Sequence, residues 1–378
     1  MKKQNQPVLV WQKVFEHDKT IWWIALLFAA STIFAWSFFY AYGLSIWLNL
    51  NSFFHNGAAV SLIAANNNQP EIATFNDERL LDGMKVDRSK TKLWPYSVMI
   101  ENLLSVRPQS GLSQASVVYE ALVEGGSTRF MAVFDPLANI PEIMPVRSAR
   151  PYYLEWVSEY GALYVHAGGS PKALTVIREN PDINDLEALS GDAGYFWRDK
   201  TKSAPHNLVT SSDKMFLALN NKGLWDKQAS FRSWLFKDDA ALDKRGDDGK
   251  TASFNFSTGK TYKVDFRYNK QNNVYLRFNA DQPHLDKNSG QQIEVKNVIV
   301  QMVEEPRLDG GKGRLDIYVG GEGQAWIFRD GQVINGVWKK SSRTDRTLFY
   351  DSQGREVELN RGNTWIHVVP KNQSVTYH

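Results

Sequence analysis

No residue between Ile21 and Leu48 carries a formal charge, and aromatic residues mark both ends of the run: Trp22 and Trp23 at one, Tyr40, Tyr42 and Trp47 at the other. A helix crossing a bilayer takes about 20 apolar residues, and Trp and Tyr collect at the two interfaces. The run therefore predicts a single transmembrane helix over residues 21–48. A cleavable signal peptide fits less well, because its apolar core spans only about 7–15 residues and closes on a small-residue site. Here Ala64-Ala65 lies well beyond the run. Lys2, Lys3, Lys13 and Lys19 precede it, and no Lys or Arg follows until Arg79. The positive-inside bias then leaves residues 1–20 as a cytoplasmic tail and the bulk of the chain outside the cytoplasm, anchored to the cell membrane by one span.

Residues 49–91 read as a linker, Asn-rich at Asn66-Asn67-Asn68 and followed by Pro70. Over the whole chain the hydrophobic fraction, 43%, together with 22% charged residues, is that of a folded protein and not of a disordered one. Segments 96–100, 117–123 and 128–134 are rich in β-branched and aromatic residues and are bounded by Gly and Pro, so they read as strands. Residues 151–160 carry helical spacing at Tyr153, Leu154, Trp156 and Val157. Residues 161–166 form a strand that runs into a helix opened by Ser170 and Pro171. From Ala252 onward only short strands and hairpin turns are legible, among them Arg329-Asp330-Gly331-Gln332. The fold class is α+β: a mixed α/β domain over 92–236, an interdomain linker at 237–251 and an all-β domain over 252–378.

The chemistry concentrates between Arg107 and Arg150. Arg107, Arg129, Arg147 and Arg150 stand beside Gly, Pro and Ser at the ends of apolar runs, a setting of loops held by buried strands. Arg147-Ser148-Ala149-Arg150 would place two guanidiniums on one face if it opened a helix. Paired guanidiniums bind carboxylate or phosphate through bidentate bonds, and a helix N-terminus would add free N–H donors. The competing reading makes these arginines struts paired with Glu120, Glu124 and Asp135. Three histidines have loop settings: His166 before Ala167-Gly168-Gly169-Ser170, His206 in Pro205-His206-Asn207, and His284 in Pro283-His284-Leu285-Asp286. His166 or His206 could act as a general base, with Asp199 or Glu120 as the paired acid.

Other chemistries find less. The absence of cysteine removes thiolate nucleophiles, Cys-ligated metals and lipid attachment through cysteine. His166 and His206 with Glu120 or Asp199 are too scattered to form a recognisable metal motif, so no metal site is expected. Gly320-Gly321-Glu322-Gly323 is a turn and not a nucleotide fingerprint, and no cofactor is expected. The net charge is +3, of which +2 falls in the first twenty residues. A body so close to neutral speaks against nucleic-acid binding.

Taken in order, Arg107-Pro-Gln-Ser-Gly-Leu-Ser-Gln-Ala, Val118-Tyr-Glu-Ala, Glu124-Gly-Gly-Ser-Thr-Arg129, Pro145-Val-Arg-Ser-Ala-Arg150, His166-Ala-Gly-Gly-Ser170, Pro205-His-Asn207, Pro283-His-Leu-Asp286 and Asn297-Val resemble the YerB-type family of bacterial envelope proteins. The resemblance runs from about Lys92 to the C-terminus. It implies a two-part body outside the membrane and an association with cell-wall synthesis, and it carries no catalytic residues. Family members are typically lipoproteins. This chain departs from them in having no cysteine and in carrying Ser127 where an apolar residue is expected.

The expectation is a membrane-anchored envelope protein that binds an anionic cell-wall component or a wall-synthesis enzyme. Its ligand site would draw on Arg107, Arg129, Arg147, Arg150, Glu124, Asn207, His284 and Asp286. The rival is a hydrolase or transferase of a wall polymer using His206, His166, Asp199 and Glu120. A third reading makes the β domain a docking surface through Trp326, Trp338 or Trp365.

Overall fold

The computed structural model describes residues 77–378. The expected cytoplasmic tail at 1–20 and span at 21–48 lie outside the described residues, among which no helix is long and apolar enough to cross a membrane. Ordered structure begins well before Lys92. Asp77–Glu78 pairs with Lys85–Val86, and between them Leu81 and Asp82 are buried, with Ser116 Oγ donating to Asp82 at 2.7 Å. The last part of the expected linker is thus packed into the fold.

The apolar runs form the strands they predict: β1 (Tyr96–Glu101), β2 (Val117–Leu122) and β3 (Thr128–Phe134), every residue buried. Strands covered on both faces read as continuous apolar runs, which is why these three were legible. Helix α1 (Pro151–Ser158) follows, then β4 (Leu163–His166), α2 (Pro171–Glu179), β5 (Asp185–Glu187) and α3 (Ser212–Asn221). Ser170 caps α2 by accepting from the Ala173 N–H at 3.3 Å, with Pro171 in the first turn as expected.

The C-terminal segment supplies β6 (Thr251–Phe254), β7 (Val264–Asn269), β8 (Val274–Asn279), β9 (Gln282–Pro283), β10 (Glu294–Val295), β11 (Asn297–Val303), β12 (Gly321–Arg329), β13 (Gln332–Lys340), β14 (Leu348–Asp351), β15 (Thr364–Pro370) and β16 (Val375–Tyr377). The turn between β12 and β13 places Asp330 and Gly331 at positive φ, and a Cβ on Gly331 would meet the Tyr268 ring at 2.2 Å, so only glycine fits there.

Two sheets result. The larger has ten strands in the order β14-β13-β12-β11-β15-β2-β3-β1-β4-β5, and the smaller runs β9-β8-β7-β6-β16 with β10 beside β8. The segments expected as separate domains share the larger sheet, because β2 pairs in parallel with β15, bringing Glu120 opposite His367. The break in composition at 237–251 is therefore not a break in the sheet. One face of the large sheet carries Tyr119, on which Trp156 of α1 stacks at 5.0 Å. The other carries Glu120, Phe130, Trp365 and His367 and packs against the small sheet, Phe254 lying 4.8 Å from the His367 ring. Trp365 and Trp338 are buried and Trp326 is partly buried, so they form core and not the exposed docking patch expected of them.

Candidate functional site

Strands β11, β15, β2, β1, β4 and β5 all point one way, with β3 antiparallel among them. Ligands of open parallel sheets gather beyond the carboxyl ends of the strands. At that edge stand Glu101 closing β1, Glu124 just past β2, Arg129 opening β3 and His166 closing β4. Segment 145–150 crosses the same edge, Val146 bridging Ile100 and Ala149 bridging Gly169. Arg147 and Arg150 arrive on it. They do not open a helix: Arg150 has φ −134° and ψ 152°, extended, and the helix begins at Pro151. A residue before proline is sterically barred from the helical region, which is the physical reason.

Two of the three arginines at this edge are paired. Arg150 makes a bidentate pair with Glu124 at 2.6 and 2.8 Å. Arg147 Nε lies 3.1 Å from Glu101 Oε1. Burial raises the Glu124 carboxyl, but the Arg150 pair outweighs it and holds it below the usual carboxylate range. These pairings realise part of the strut reading, with Glu101 as the unforeseen partner. Arg129 is different. It is 5% exposed, its Nη1 donates to the Ser148 carbonyl at 2.6 Å, and among the described residues no carboxylate lies within 4.0 Å of it. Burial first, then the charges of Arg150 and more weakly Arg147, pull its pKa below the usual arginine value. Three guanidiniums thus share the edge with Glu101, Glu124 and, closing β5 opposite His166, Glu187.

Arg107, expected on the same face, lies apart. It donates to Asn102 Oδ1 at 3.0 Å and to the Asn102 carbonyl at 3.2 Å, and sits over the Tyr262 ring at 5.3 Å. Its charge acts on Arg277 and His284. Arg107 and Arg129 belong to different environments.

The candidate acid-base residues do not converge. His166 is buried, its Nε2 2.5 Å from Asp185 and its Nδ1 2.8 Å from the Gly168 carbonyl. Asp199 accepts from the Thr201 N–H and hydroxyl at 2.8 and 2.6 Å, holding its own turn. Asn207 braces that loop, accepting from Arg198 at 2.7 Å and donating to the carbonyls of Asp199 and Lys202. His206 finds an acid that the sequence did not suggest: its Nδ1 donates to Glu101 Oε2 at 2.7 Å, and Glu101 is 3% exposed. Among these candidates His206 is the one that combines a buried carboxylate partner with a partly exposed ring.

Glu120 lies between the sheets, fully buried. It accepts from Asn102 and Thr128 on one oxygen at 3.0 and 2.7 Å, and from Arg277 and His367 on the other at 2.9 and 3.0 Å. Burial raises its pKa, but Arg277, His367 and Thr128 together bring it down to about 2. Burial pushes His367 down to about 4, so the ring is neutral, with Nδ1–H donating to Glu120. Arg277 Nε donates to His284 Nδ1 at 2.8 Å, leaving Nε2–H of His284 to donate to Gln109 Oε1 at 2.9 Å. Asp286 accepts from the Gly111 and Ser113 N–H groups at 3.2 and 2.8 Å. Glu120, His284 and Asp286 therefore hold the two segments together. Sequence reading missed Arg277, Glu101 and His367; the available signal was a charged or imidazole side chain inside an otherwise apolar strand, which demands a buried partner.

Residues 81–225 match the family described as the N-terminal domain of a protein of unknown function (DUF3048), and residues 252–366 match its C-terminal domain. The Bacillus subtilis (strain 168) protein named "Putative lipoprotein YerB" is 31% identical over 292 residues, 77% of this chain and 85% of that protein. The crystal structure of the YerB protein from Bacillus subtilis superposes with a TM-score of 0.70 at 28% identity, covering 79% of this chain and 99% of that one.

Proposed function

Since the chain belongs to the YerB-type family, we propose that it is a membrane-anchored envelope protein that binds an anionic wall component, or a wall-synthesis partner displaying such a group, at the edge formed by Arg129, Arg147 and Arg150. Residues 21–48 are its anchor, with the lysines before them kept in the cytoplasm. A relative named as a lipoprotein is in keeping with a body held at a membrane, here without a cysteine to carry the lipid.

The observation that carries the reading is Arg129. A buried cation with no carboxylate in contact costs stability, and a guanidinium so placed gains a bidentate partner when a carboxylate or phosphate arrives. Charge-assisted hydrogen bonds of this kind contribute about 1.5–3 kcal/mol. The full-length chain in detergent is therefore expected to cosediment with isolated cell-wall sacculi, and Arg129→Met to weaken that binding roughly ten- to hundredfold. Equal sedimentation of the two proteins would remove Arg129 from the site.

One observation favours catalysis on the same polymer: the Glu101–His206 pair, in which a buried carboxylate orients an imidazole as a general base requires. Mass spectrometry of the soluble fraction after incubation with sacculi decides this. Fragments that vanish with both His206→Ala and Glu101→Gln establish the enzyme; no fragments leave a binding protein.

A further inference from the structure

We propose a second ligand site, separate from the arginine edge, for a carboxylate carried on a short apolar chain. It is a pocket of about 230 Å³ between the loop at 104–108 and the turn at 279–285. Leu104, Pro283 and Leu285 give it an apolar wall, and Arg107, Asn279 and His284 contribute the polar groups. Leu104 is 63% exposed and Leu285 39%, so apolar surface faces water on both sides of the pocket.

The polar side of the pocket points to an anionic head on an apolar body. Asn279 is 5% exposed and its Oδ1 already accepts from Arg277 at 2.9 Å, so it serves as wall. Arg107 has no carboxylate within 4.0 Å among the described residues, and its guanidinium is held in place by Asn102 and Tyr262. His284 is already engaged on both ring nitrogens, by Arg277 and Gln109, so it serves as wall and not as donor.

Ala280 and Asp281 both sit at positive φ, 47° and 64°, as the two-residue hairpin turn that sets Asn279 opposite Gln282 requires. One fixed guanidinium suits a monoanion, and the apolar wall suits a carbon chain about the size of one leucine side chain. A free short-chain acid and the C-terminal leucine of a peptide share this chemistry.

Calorimetric titration of the full-length chain with hexanoate, hexanol and an acetylated Leu-Leu dipeptide bearing a free or an amidated C-terminus tests the site. Saturable binding of hexanoate or of the free-carboxylate dipeptide, at least tenfold tighter than hexanol or the amide, is expected. Tighter binding of the dipeptide identifies a chain end as the source, and tighter binding of hexanoate identifies a free acid. Arg107→Met and Leu104→Ser should each weaken binding at least tenfold; Leu104 is exposed, so the second variant tests the site even where the first fails to fold. Arg129→Met should bind as the unaltered protein does. No saturable binding, binding indifferent to Leu104→Ser, or binding lost with Arg129→Met would overturn the proposal.

Discussion

Replacing Arg277 with methionine is expected to destabilise the fold by about 3–5 kcal/mol, because it strands the Glu120 carboxylate between the two sheets. Arg277 is fully buried and reaches across from the small sheet to the large one, so the loss falls on the contact that joins the two matched segments. A pH signature separates this from a simple packing defect. The Glu120 carboxyl is held at about 2 against an ordinary 4.5, so its contribution is complete above the ordinary value and is lost as pH falls from 4.5 towards 2. His367, pushed down to about 4 from 6.5, stays neutral in the fold, so stability is also lost as pH falls from 6.5 towards 4. Both act in the same direction: the unaltered protein weakens on acidification. In Arg277→Met the Glu120 carboxyl keeps its burial and loses its strongest favourable charge, so the acid slope flattens. Urea midpoints from pH 7 down to about pH 2 check this. A variant within about 1 kcal/mol of the unaltered protein and with the same slope would show that the pair adds nothing.

Glu159→Gln is expected to cost a similar amount, about 3–5 kcal/mol, for the opposite reason: it leaves two buried cations facing each other. Glu159 accepts from Lys340 at 2.9 Å, Thr347 at 2.5 Å and Tyr119 at 3.2 Å, and Arg346 stands 3.4 Å away. Arg346 is further stacked, 3.6 Å from the Trp234 ring and 3.9 Å from that of Tyr160, so it has little freedom to reach water. The cluster ties the end of α1 to the β13–β14 connection. Removing one of the cations should restore part of the loss, so Glu159→Gln with Lys340→Met is expected to be more stable than Glu159→Gln alone. Thermal unfolding of the three proteins measures it. A double variant less stable than the single one would mean that Lys340 contributes packing and its own carbonyl contacts more than charge.

The strands around the arginine edge were legible because their apolar runs are bounded by Gly, Pro and charged residues. The bounds expected for 128–134 are those of β3, and a helix opening at Pro151 follows from its spacing and proline. The joining of β2 to β15 was not legible. Val117–Leu122 and Thr364–Pro370 each read as a buried strand, and nothing local in either names the other as its neighbour. Glu120 and His367 are the traces of that pairing, the first read from the sequence as a catalytic acid and the second not singled out at all. The condition that would put Arg147 and Arg150 on one face, a helix opening at Arg147, fails because Pro151 disfavours helical backbone at the residue before it. The arginine edge was legible as a place, since four arginines recur among turn residues. Its division into Arg129 with Arg147 and Arg150, and Arg107 elsewhere, depends on carboxylates that folding brings together.

On the proposed function, Arg129 serves a ligand and not the fold. Urea unfolding of the full-length chain and of Arg129→Met, each with and without inorganic pyrophosphate, tests it most directly. Without the anion, the variant should match the unaltered protein to within about 1 kcal/mol, since it gives up a buried charge with no carboxylate in contact and one carbonyl hydrogen bond. With the anion well above its Kd, the unaltered protein should gain about 2–3 kcal/mol and the variant close to nothing. A variant that loses more than about 2 kcal/mol without the anion, or that gains as much from it as the unaltered protein does, would make Arg129 a strut and contradict the account.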